Sequence, residues 1–63
     1  MGHTNKIYYF GKELKVVHIF TEEYKNKYSN WDNEAEAMVE RANRYGKMAT
    51  CIHKEGKTFI YTN

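Results

Sequence analysis

A chain of 63 residues makes one domain, and a domain this short buries a smaller share of its surface than a longer one does. Its one cysteine, Cys51, excludes an internal disulfide, so packing of the aromatic residues (16% of the chain) or self-association must hold the fold. The net charge of +2 is too low to demand a polyanionic partner.

The first four residues read as a flexible end with no long apolar run behind them, hence no signal peptide, lipidation motif or transmembrane span. A lone thiol fits a reducing compartment, so the expectation is a soluble cytoplasmic protein with no membrane role. The abundance of Lys, Asn, Tyr and Ile points weakly to an A+T-rich genome such as that of a phage or mobile element.

Ile7-Tyr8-Tyr9-Phe10 is β-branched and aromatic, Gly11-Lys12 interrupts, and the apolar character resumes from Leu14. This predicts a hairpin whose two-residue loop has Gly11 at its first position, where a type II′ turn needs positive φ. That loop sets Tyr9 opposite Leu14, Ile7 opposite Val16 and Asn5 opposite His18 on one face. On the other it sets Tyr8 opposite Lys15, Lys6 opposite Val17 and Thr4 opposite Ile19. The first face is the more apolar and is expected to meet the helix.

Residues 21–28 are charged and lack a period, which predicts a connection. Over residues 29–46 the apolar positions Trp31, Ala35, Met38, Val39, Ala42 and Tyr45 recur at intervals of three and four, the period of one helix face. Ser29 suits the N-cap, with Asp32 as a short capping-box acid, and Gly46 suits a left-handed stop. A second hairpin follows, with Glu55-Gly56 as a type I′ loop. It pairs Ile52 with Phe59 and Thr50 with Tyr61 on one face, Cys51 with Ile60 and His53 with Thr58 on the other. The bulk of Ile52, Phe59 and Tyr61, joined by Met48, favours their side as the core. The predicted fold is α+β: a ββαββ domain over residues 1–63, with an antiparallel four-stranded sheet and one helix on one face.

Chemistry is thinly represented. Cys51 and His53 share a strand face, but two residues along a strand span about 6–7 Å, beyond direct proton transfer. One cysteine with His3, His18 and His53 is a poor zinc set. Glu34, Glu36 and Glu40 read as a wet helix surface, and Gly11, Gly46 and Gly56 each have a turn or cap role. The expectation is a non-enzymatic protein with no cofactor, no metal and no small-molecule substrate.

The sheet's outer face carries the functional expectation. Tyr8, Val17, Ile19, Cys51 and Ile60 would form an apolar centre that one helix leaves uncovered, with Lys6, Lys15, His53 and Thr58 around it. Covering Val17, Ile19, Ile60 and Tyr8 would be worth up to about 6–12 kcal/mol at about 1.5–3 per side chain. The predicted partner-binding set is therefore Lys6, Tyr8, Lys15, Val17, Ile19, Cys51 and Ile60. It would contact a protein partner or a second copy through this face or an edge strand, as a modulator or inhibitor of a larger host component would. The alternative is nucleic-acid binding, with Tyr8 stacking bases and Lys6, Lys15, Arg41, Arg44 and Lys47 tracking phosphates.

Overall fold

The structure, a computed structural model, describes residues 6–63. The expected flexible end, and the pairings assigned to Thr4 and Asn5, lie outside these residues. Strand β1 (Lys6–Tyr9) and β2 (Lys12–Phe20) form the first hairpin, α1 (Glu22–Lys27) and α2 (Trp31–Arg44) follow, and β3 (Ala49–Lys54) and β4 (Lys57–Thr62) form the second. The sheet is antiparallel in the order β1-β2-β4-β3, so the two hairpins meet through β2 and β4 while β1 and β3 are its edges. The ββαββ architecture of the α+β class is therefore present as expected, with α1 as an addition.

That first helix escapes periodicity because it is under two turns long. Thr21 caps it, its hydroxyl accepting from the Tyr24 amide at 3.1 Å. The second helix starts from Asn30 rather than Ser29, and the Asn30 side chain makes no capping hydrogen bond. This corrects the expected cap, and the cause is the short α1–α2 connection, in which the Trp31 amide donates to the Tyr28 carbonyl. The other end behaves as expected. Gly46 takes φ +81°, the Lys47 amide reaches back to the Ala42 carbonyl at 2.9 Å and the Gly46 amide to Asn43 at 3.0 Å. These are the two bonds of a Schellman stop.

Both hairpins turn through type I′ loops, with positive φ at both central residues. For β3–β4 the loop is Glu55-Gly56 and every expected pair is observed. For β1–β2 the loop is Phe10-Gly11 rather than Gly11-Lys12, so Ile7 lies opposite Leu14 and Lys6 opposite Lys15. The register is offset from expectation by two residues, which changes partners but turns no side chain over. Gly56 has a second constraint, because a Cβ built there would lie 2.9 Å from Glu22 Cδ. Gly56→Ala should therefore cost about 1–2 kcal/mol, the penalty of a left-handed L-residue, in a urea unfolding measurement. Adding Glu22→Ala should relieve the contact but not the backbone part.

The main correction concerns which face the helix covers. Phe20, Ala35 and Ile60 form the buried cluster, with Tyr24, Trp31, Met38 and Val39 packed against it. The pairings His18–Ile60 and Phe20–Thr58 put Phe20 and Ile60 on one sheet face, together with Cys51, His53 and Thr58. Ile60, expected on the outer face, is 1% exposed and lies under α2. Ile7, Tyr9, Leu14, Val16, Thr50, Ile52, Phe59 and Tyr61, expected beneath the helix, lie on the reverse.

A bulge explains the inversion. Val16 pairs with Tyr61 but His18 pairs with Ile60, so Val17 is an inserted residue in β2. Before it the buried residue of β2 is Leu14, on the reverse face; after it the buried residue is Phe20, on the helix side. Leu14 and Tyr61 are closed to solvent yet stand outside the cluster under α2. One strand thus feeds a packed group on each side of the sheet. No residue of β2 announces the switch, because the alternation of buried and open positions continues unbroken through the bulge.

Candidate functional site

The site is built from the reverse face of the sheet. Strand alternation from the observed pairings brings Ile7, Tyr9, Val16, Ile19, Ile52 and Phe59 there around the buried Leu14 and Tyr61. Ile19, opposite Phe59, is 43% exposed, and Phe59 stacks on Tyr61 with ring centroids 6.3 Å apart. Among the described residues no helix crosses this face, since α2 packs over β3 and β4 from the other side. The same alternation puts Lys12 at one end of the face and the paired Lys54 and Lys57 at the other. No described strand residue on this side is an acid. The arrangement is an apolar centre with a cationic border.

Sequence reading missed two contributors. Phe10, at the tip of the first hairpin, is 80% exposed and holds φ +52°. A bulky residue in the left-handed region is strained, and here its ring rests edge-on against Tyr9 at 4.6 Å. The signal was its place before Gly11 in a two-residue turn. The lysine border was legible only through the face assignment, and that was inverted.

The expected partner-binding residues do not form one patch. Ile19 is on the reverse face and Val17 is open at the bulge. Ile60 is core and Cys51 is an exposed residue on the helix side of edge strand β3. Lys6, Tyr8 and Lys15 share the helix side of the first hairpin, where Lys6 pairs with Glu13 at 3.3 Å and Tyr8 lies opposite Glu13. The acid in that group dilutes the basic strip expected to follow phosphates. Arg41 and Arg44 end α2, and Lys47 follows its Gly46 stop.

Two polar contacts brace the helix side. His53 Nδ1 lies 2.8 Å from the hydroxyl of the fully buried Thr58, a contact that takes up one of the two ring nitrogens and fixes the ring against β4. The Tyr24 hydroxyl donates to Glu34 Oε1 at 2.7 Å, joining α1 to α2. That bond to a carboxylate, with some desolvation, raises the Tyr24 pKa above its usual value of 10.0. A raised folded-state value means the bond stabilises below about pH 10 and is lost as pH climbs through the folded pKa. Thermal unfolding between about pH 8 and pH 11 should show this alkaline loss, and Tyr24→Phe should flatten it. Among the described residues no group of three or more His, Cys, Asp or Glu is placed to hold a metal ion, and no helix is long and apolar enough to cross a membrane.

Compared with known proteins, the chain matches no family model, no curated sequence and no solved structure.

Proposed function

We propose that this chain is a binding module whose working surface is the reverse face of the sheet. The observation that carries the reading is an apolar centre at Ile19, Ile52 and Phe59 that no helix covers among the described residues, bordered by Lys12, Lys54 and Lys57. Exposed apolar patches of this kind mark contact surfaces on soluble domains. The lysine border selects the occupant: a protein surface with an apolar middle and acidic edges. Two copies meeting face to face would set lysine against lysine, which costs specificity and on-rate. The described strand residues on this side include no His, Cys, Asp or Glu, which supports recognition over catalysis. Modulation of a larger host component in the cytoplasm is the role that fits a domain of this size.

The test is photocrosslinking in the source cell, with a photoreactive residue replacing Ile19, Phe10, Tyr8 or Ala37 in turn. Positions 19 and 10 should capture the same discrete protein, and Ala37 on the outer side of α2 should capture none. The purified partner should then bind the chain at least tenfold more weakly after Ile19→Glu or the double change Lys54→Glu, Lys57→Glu. Nuclease-sensitive crosslinks from Tyr8 alone would replace this reading with nucleic-acid binding. Silence at position 19 would remove it.

A further inference from the structure

We infer that the outer edge of β3 pairs with the β3 edge of a second copy, joining two sheets into one of eight strands. The inference goes beyond the reverse-face reading and does not depend on it. It starts from hydrogen-bond parity. The Asn63 amide donates to the Met48 carbonyl at 3.2 Å, so residue 48 directs its backbone groups toward β4. A two-residue turn closed by Lys54 and Lys57 gives the same parity from the other end of the strand. Residues 48, 50, 52 and 54 therefore bond inward, and Ala49, Cys51 and His53 direct their N–H and C=O groups outward. Among the described residues no strand accepts them.

Edges of this kind are normally blunted by charge, proline or a bulge, or kept short. The opposite edge follows that rule: β1 has four residues and carries Lys6. In β3 the run from Ala49 to His53 has no charge, no proline and no irregularity, and only Lys54 at its end is charged. The edge is also complementary to itself. A two-fold axis at Cys51 sets Ala49 against His53 of the other copy and Cys51 against its own counterpart. All the outward groups of both strands are then matched in reciprocal pairs, and each Lys54 meets Met48 rather than another lysine.

The side chains agree with that register. Beside β3 and under α2 runs an open groove of about 450 Å³, lined by Trp31, Ala35, Val39, Ala49, Cys51 and His53 among others. Trp31 stands at its His53 end, with ring centroids 6.4 Å apart. The two-fold brings that bulky end beside the Ala49 end of the other copy, large residue to small. A single small domain with few fully closed side chains gains stability from such an extension.

The full chain should be studied under reducing conditions by sedimentation equilibrium and amide exchange across a concentration series. A dimer is expected, with exchange at residues 49, 51 and 53 slowing at least tenfold as it forms. Antiparallel hydrogen-bonded partners sit about 5.5 Å apart at Cα, so a short bis-maleimide should link Cys51 to Cys51 within the dimer. Cys51→Lys places like charges across the axis and should raise the dissociation constant at least tenfold while leaving the monomer's unfolding curve intact. Ile19→Glu, on the reverse face, should leave the dimer unchanged. A monomer at every concentration overturns the inference. So does a dimer that tolerates Cys51→Lys but is lost with Ile19→Glu, since the reverse faces would then be what meets.

Discussion

Phe20→Ala should lower the unfolding free energy by about 3–5 kcal/mol, the usual cost of emptying a buried phenylalanine site. At about 0.05–0.15 kcal/mol per residue the whole domain of 63 residues holds only about 3–9 kcal/mol, so the variant should lose half or more of its stability. The reason lies in what the ring touches. Phe20 is fully closed to solvent and is the meeting point of Tyr24 at 5.5 Å, Trp31 at 6.0 Å and the His18 ring at 4.4 Å. Both helices therefore dock on one side chain, and its loss frees α1 and the start of α2 together. Circular dichroism with urea titration would measure this; a loss below about 1.5 kcal/mol would show that the helices are held elsewhere.

Two isoleucines on opposite sides of the same sheet provide the second large contrast. Ile60→Ala should cost about 2–5 kcal/mol, because the residue is sealed beneath Ala35 and its neighbours. Ile19→Ala should cost under about 1 kcal/mol, since nearly half its surface already meets water and little cavity is left behind. The chain positions alone do not separate them: both are strand isoleucines flanked by an aromatic residue. Equal losses in parallel unfolding experiments would mean that the reverse face is covered. The contrast also decides which variant is useful, for a charge at position 60 would unfold the domain, whereas one at position 19 probes the surface.

The parts of the fold with local chemistry were legible in the sequence. Periodicity located α2, Gly46 located its end, and Glu55-Gly56 fixed the second hairpin to the residue, because each is settled by a few neighbouring side chains. The first hairpin slipped by two residues, because Phe10 accepts a backbone conformation that its side chain disfavours and Gly11 moves to the second turn position. The six residues of α1 are too few to establish a period. The choice of face was beyond local reading, since β4 places Phe59, Ile60 and Tyr61 in succession and is apolar on both sides. Comparing bulk favoured Phe59 and Tyr61. The helix instead follows Phe20, which the bulge delivers to the same side as Ile60. An apolar side of the sheet turned away from α2 was thus foreseeable from one helix and four strands, while its membership was not.

The inserted residue at Val17 makes β2 unequal in its tolerance of length change. Removing Val17 leaves Lys15, His18 and Phe20 on the helix side and Leu14, Val16 and Ile19 on the reverse, with an even ladder against β4. Losing one residue between 13 and 15, or at 19, would instead rotate one end of the strand by half a turn and push Leu14 or Phe20 into water. Position 17 is therefore where this chain can shorten by a residue without exchanging its inside for its outside.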